Sequence, residues 1–279
     1  MRKHGPVAFV LSGGGPLGAV QVGWLQALLG NGVQPDILVG TSVGALNALM
    51  LAADPTVGGA ERLSQLWLKM RKDDLFPGGK LVSAWHALRK GSYVYENAGL
   101  RRIINSEVSG KRNFGDLVVP LHINATTLET GDEKWFSTGC FLEPLLASAA
   151  MPGVFPPVVI DGITYIDGGV SNNVAISKAI NLGAKTVYVL NVNAAGQGRN
   201  LHRPHDFMMH GFVLARSQRY RREIESSRRL AKVVEMPIPR VGYVPFTNMS
   251  HAARLIDAGF EAATALLDTQ GVSSLAQCP

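Results

Sequence analysis

The stretch PDILVGTSVGALN, residues Pro35 to Asn47, decides the fold. Asp36-Ile37-Leu38-Val39 is a short apolar run that predicts a strand buried on both faces. Val43 to Ala53 predicts a buried helix, closed by Asp54-Pro55. Between them lies G-x-S-x-G, Gly40-Thr41-Ser42-Val43-Gly44, with almost no chain left for a loop. So sharp a turn exposes the serine hydroxyl, and small residues at Gly40 and Gly44 let strand and helix approach. The amides that follow open a helix N-terminus, where partial positive charge favours a developing oxyanion. Alone, the pentapeptide reads equally well as a helix start rich in glycine; the strand before it and the helix after it favour a nucleophile.

Upstream, the same rhythm appears once more. Val7-Ala8-Phe9-Val10-Leu11 predicts a first buried strand, Ser12 to Gly18 a glycine loop, and Ala19 to Gly30 a helix with Val22, Leu25, Gln26 and Leu29 on one face. The loop satisfies G-x-G-x-x-G through Gly13, Gly15 and Gly18, which invites a dinucleotide reading. That reading needs an acid at the end of the second strand to hold a ribose. Asp36 has the separation but precedes its strand, and Gly40-Thr41-Ser42 occupies the end. The favoured alternative is an oxyanion loop, with the unhindered amides of Gly14 and Gly15 aimed at an acyl oxygen.

Downstream, residues 55–115 hold Leu63, Leu66, Trp67, Met70, Leu75, Phe76, Leu81, Trp85, Leu88, Tyr93 and Tyr95, around Pro77-Gly78-Gly79. They predict short helices capping the sheet. Strands are expected at Pro120 to Thr126, Glu133 to Phe136, and Val158-Val159-Ile160 with Ile163 to Ile166 around the turn Asp161-Gly162. Helices are expected at Leu142 to Ala150 and Val174 to Leu182, a strand at Thr186 to Val192, then helices at His205 to Lys232 and Ala252 to Leu267. The alternation predicts a three-layer α/β/α sandwich with a mostly parallel central sheet. No repeat or linker divides it. Residues 5–195 form the expected core with its cap at about 55–115, and 196–279 a helical C-terminal part of the same domain.

Asp167-Gly168-Gly169 follows the hairpin and precedes Asn172-Asn173. Asp-Gly is by itself a turn signal. Together with the glycine loop and G-x-S-x-G, in that order, it resembles the patatin-like phospholipase family. SAAMPGVFPPV (Ser148 to Val158) and DGGVSNN (Asp167 to Asn173) are similar to family sequence as well, and the resemblance covers about residues 5–195. It implies a Ser42–Asp167 dyad without histidine, and Gly13, Gly14 and Gly15 as the oxyanion loop. Gly18, Gly40, Gly44, Gly168 and Gly169 complete the motifs. Two positions depart from the family pattern: Leu17, where a basic residue is common, and Ala175, where proline often stands.

The implied reaction is hydrolysis of a fatty-acyl ester, a lipid or other acyl ester serving as substrate, with no metal or cofactor. A Ser-His-Asp triad would nominate His202, His205, His210 or His251. Against it, only one strand and one helix precede Ser42, too few for an α/β-hydrolase. A catalytically idle regulatory or lipid-binding protein on the same scaffold is the second functional class. Headgroup, acyl length and oligomeric state stay open.

Composition sets the outer bounds. With 46% hydrophobic and 17% charged residues the chain is not disordered. Two cysteines, Cys140 and Cys278, cannot build a disulfide framework. The net charge of +6 is carried entirely by Arg199 to Lys232, with nine basic and three acidic residues. That segment is either a solvated helix face or a surface for anionic membrane; nucleic acid is not expected. Ile37 to Ala53 is uncharged but too short and glycine-broken to span a bilayer. Met1-Arg2-Lys3 before Val7 to Leu11 imitates a signal peptide but lacks a cleavage site. A cytoplasmic location with peripheral membrane contact is the expectation.

Overall fold

A computed structural model describes residues 5–76, 93–108, 110–193, 204–242 and 244–269. Leu81, Trp85, Leu88 and Pro77-Gly78-Gly79 of the expected cap lie outside these residues, as do Arg199, His202, Arg203 and Cys278. In chain order the elements are β1 (Val7–Leu11), a 3-10 turn (Gly15–Leu17), α1 (Gly18–Gly30), β2 (Ile37–Thr41), α2 (Val43–Ala53), α3 (Val57–Lys69), α4 (Lys72–Leu75) and α5 (Ala98–Glu107). A second 3-10 turn (Phe114–Asp116) leads to β3 (Leu121–Thr127), β4 (Glu133–Phe136), α6 (Leu142–Ser148), β5 (Val158–Ile160), β6 (Ile163–Asp167) and α7 (Ile176–Asn181). The chain ends with β7 (Thr186–Leu190), α8 (Pro204–Ser227), β8 (Lys232–Glu235) and α9 (Ala252–Thr269).

One sheet runs in the order β5-β6-β3-β2-β1-β7-β8, with β4 also on β3. From β3 to β8 every neighbour on that path is parallel, whereas β4, β5 and β6 pair antiparallel. Alternate residues of each strand enter opposite layers. Phe9, Leu11 and Leu38 join a core with α1, α2, α3, α6 and α9, whereas Ala8, Val10, Ile37 and Val39 join a second core with α7 and α8. The α/β fold is therefore a three-layer sandwich with a mostly parallel central sheet.

Two differences from the sequence reading have physical causes. The helix expected over His205 to Lys232 stops at Ser227, and Lys232–Glu235 is a strand. Leu230 and Ala231 donate their amides back to Ser227 O, closing the turn, and Val233 and Val234 then pair with Val187 and Tyr188 of β7. The C-terminal part is thus not helical throughout. Second, α1 is buried nearly all round rather than on one stripe, because it lies between the sheet and α9. A Cβ at Gly23 would fall 2.0 Å from Ile256 O, and one at Gly259 would fall 2.3 Å from Val20 O. Trp24, Leu25 and Leu28 of α1 are fully buried; each is worth about 1.5–3 kcal/mol over exposure. The Asp161-Gly162 turn has φ of 51° and 77°, the pair of positive values that a type I′ hairpin requires.

What positions the site is a change of partner along β3. Leu121 to Asn124 pair with β2, the last register being Thr41 with Asn124. The next residue, Ala125, already pairs with Asp167 at the end of β6. Ser42 and Asp167 are brought side by side where one strand yields to the other.

Candidate active site

Ser42 has φ 55° and ψ −127°. A non-glycine residue there is strained by about 1–3 kcal/mol and persists only where its surroundings enforce it. They do so from three sides. A Cβ at Gly40 would meet Ala45 Cα at 2.5 Å, and a Cβ at Gly44 would meet Leu11 O at 2.4 Å and Ser12 O at 2.5 Å, so neither motif glycine has room for a side chain. The Ser42 amide donates to the buried Ser148 Oγ at 2.9 Å. Ser42 Oγ donates to Asp167 Oδ2 at 2.6 Å.

Asp167 is 6% exposed. Its amide donates to Ala150 O, its Oδ1 accepts from the Gly169 amide at 2.7 Å, and its carbonyl accepts from Thr126 Oγ1. Burial pushes its carboxyl above the ordinary value of 3.8; the Ser42 hydroxyl, the Arg216 guanidinium and the Gly169 amide oppose that rise. A buried carboxylate with raised basicity beside a strained serine hydroxyl can take a proton from it.

The glycine loop is tied down from beneath. Gln21 Nε2 donates to Ser12 O and Leu190 O, and Asn47 Nδ2 donates to Gln21 Oε1 and Gly18 O. Trp67 Nε1 closes this buried chain on Asn47 Oδ1. Gly18 carries no side chain because Val43 and Trp67 fill its Cβ position. Gly13 donates its amide to Asn173 Oδ1 at 3.1 Å, joining the loop to the segment after D-G-G. Gly15 has φ 56°, and the loop turns at Gly14 and Gly15 beside Ser42.

The patatin-like phospholipase family matches residues 9–180, well over half of the chain. The chain belongs to this family. Curated relatives include "Lysophospholipase nte1" of Aspergillus terreus, 26% identical over 67% of this chain, and "Lysophospholipase NTE1" of Coccidioides immitis, 25% identical over the same share. The chain spans 12% of the length of each. Among solved structures, VipD from Legionella pneumophila aligns with a TM-score of 0.49 at 14% identity, covering 96% of this chain and 67% of that one.

The remaining patatin-like motif residues fall beside the pair. Gly168 packs against Asn124 O, 2.2 Å from where its Cβ would be, and Gly169 faces the Asp167 carboxylate. An apolar pocket opens at Ser42, lined by Leu46, Trp67, Phe76, Leu145, Phe155 and Phe246 among others. Asp36 lies elsewhere: its Oδ2 accepts from the Val7 amide, at the far end of the strands from the glycine loop. Among the described residues no histidine hydrogen-bonds to Ser42 or Asp167; His251 meets Asn248. His202 lies outside the described residues, and the His205 side chain does too.

Sequence reasoning passed over four contributors. Ser148 stood inside a family-like stretch but was assigned no contact. Gln21 and Asn47 fell on helix faces taken as apolar. Arg216 was counted with the surface arginines of α8, yet it reaches the site, as Arg219 reaches Glu133 and Arg228 reaches Glu235. The readable signal was polarity at positions that helix packing required to be buried.

Proposed function

We propose that this protein hydrolyses carboxylic esters of fatty acids through Ser42 and Asp167. The observation that carries the reading is the 2.6 Å hydrogen bond from a strained serine to a buried carboxylate. Ser42 Oγ attacks the acyl carbonyl while its proton passes to Asp167. The oxyanion meets the amides of Gly14 and Gly15, with Gly13 holding the loop through Asn173. Collapse returns the proton to the leaving alcohol and leaves an acyl-serine. Water, deprotonated by Asp167, then releases the fatty acid and restores Ser42. The apolar pocket beside Ser42 suits an acyl chain, and the lysophospholipase names of the relatives support a lipid ester.

Labelling with a fluorophosphonate tests the nucleophile. Wild type should be labelled and should cleave a short-chain ester; Ser42→Ala should do neither while melting as a folded protein. Equal labelling of both would place the nucleophile elsewhere. A folded wild type that is neither labelled nor active would favour an idle scaffold.

A further inference from the structure

We propose that a second, polar pocket beside the dyad receives a phosphate carried on the alcohol side of the scissile ester, with Arg216 as its ligand. The proposal deepens the hydrolase reading and rests on it. This pocket shares no residue with the apolar one. Its wall includes Asn173, Asn191, Asn193, Ser217, Arg216 and Arg219, and no Asp or Glu. An ester seated on Ser42 therefore has apolar wall on one side for its acyl chain and donor-rich wall on the other for its alcohol.

Arg216 reaches the border between the two. A Cβ at Gly13 would meet Ser42 Cβ at 2.9 Å and Arg216 Nη2 at 3.4 Å, so serine and guanidinium flank one point on the loop. A Cβ at Gly169 would meet Arg216 Nη2 at 2.8 Å, with Asn173 Oδ1 and Asp167 Oδ1 each at 2.9 Å. The guanidinium is held over the Phe212 ring one turn back, 5.0 Å from its centroid. Arg219 is held at the wall by Glu133, which also accepts from Asn172. A planar fork of N–H donors, oriented by an aromatic ring and half sheltered from water, matches the oxygens of a phosphate better than a hydroxyl. Arg216 lies beyond the residues 9–180 that carry the family match, so this feature belongs to the part of the chain the family pattern does not describe.

The test compares 1-acylglycerol with 1-acylglycerol 3-phosphate of the same acyl chain, substrates that differ only in the phosphate. The full chain is used as wild type, Arg216→Gln, Arg216→Lys and, as a surface control, Arg221→Gln. Wild type should prefer the phosphate ester. Arg216→Gln should lower the ratio of kcat/KM, phosphate over neutral, by about tenfold or more, mainly through KM, the loss of a charge-assisted hydrogen bond. Arg216→Lys should recover part of the ratio, and Arg221→Gln should leave it alone. Both esters slowed in the same proportion would overturn the proposal and leave Arg216 as a partner of Asp167 alone.

Calorimetric titration with the uncleavable 1-O-alkylglycerol and its 3-phosphate gives a readout without turnover. Tighter, Arg216-dependent binding of the phosphate upholds the pocket even if no ester is cleaved, in which case only the hydrolase reading fails. Equal binding of the two ethers overturns it. Inorganic phosphate competing as well as glycerol 3-phosphate also overturns it, in favour of a free-anion site.

Discussion

Asp167 meets opposing demands. As the proposed base it must be ionised, yet burial raises its pKa. Activity on a neutral soluble ester should therefore fall as pH drops through a value above the ordinary 3.8, placing the acid limb of the pH–rate profile above the usual carboxylate range. Arg216→Gln should move that limb further up. The same shift bears on stability. Between the unfolded and the raised folded pKa the native chain holds the proton more tightly, so stability is greatest below the unfolded value and declines as pH rises through that window. Asp167→Asn keeps the shape and an acceptor for the Gly169 amide. It should cost turnover about 10³-fold and raise Tm at neutral pH; a lowered Tm would show that the charged contacts outweigh burial. Ser148→Ala leaves the Ser42 amide without its acceptor. We expect about 1–3 kcal/mol lost in urea unfolding and a smaller fall in turnover than Asp167→Asn gives.

At the scale of elements, the junction of β1, β2 and α2 has the least slack. Gly44→Ala places a methyl 2.4 Å from Leu11 O, a backbone atom that no rotamer change can move away. It should destabilise by about 1–3 kcal/mol or more in urea and abolish ester hydrolysis. Gly30→Ala, with nothing within 4 Å, should be neutral or stabilising. The strands around this junction were legible because parallel strands buried on both faces read as unbroken apolar runs, as Val7 to Leu11 does. So was Ser42, since strand, serine and helix are contiguous in the sequence. The partner of Ser42 was legible only through resemblance, because Asp-Gly-Gly alone reads as a turn. Strand β8 was hidden behind the arginine-rich periodicity of α8, and nothing local marks Val233-Val234 as a sheet edge. Arg216 was hidden for a related reason: which arginine of α8 points inward depends on where the helix docks, a property of packing and not of spacing.

Across the whole molecule, the excess charge divides by destination. Arg216 serves the polar pocket, and Arg219 and Arg228 meet carboxylates. Arg221, Arg222 and Arg229 are exposed. No helix among the described residues is long and apolar enough to cross a membrane. If the basic segment concentrates the protein at anionic bilayers, wild type should sediment with such vesicles at low salt and less as salt rises. Changing those three arginines together to glutamine should reduce binding by roughly 1 kcal/mol each and spare hydrolysis of a soluble ester. Wild type that ignores anionic vesicles at low salt would leave the face merely solvated. The partner change along β3 has a consequence of another kind, in time. Ser42 and Asp167 are 125 positions apart and meet only when β3 has exchanged β2 for β6. During synthesis the serine emerges long before its aspartate, and a chain still on the ribosome holds no reactive pair. In refolding, recovery of hydrolysis should lag behind recovery of helix signal, because closing so long a loop is slow. The protein is thus harmless to lipid until it is finished.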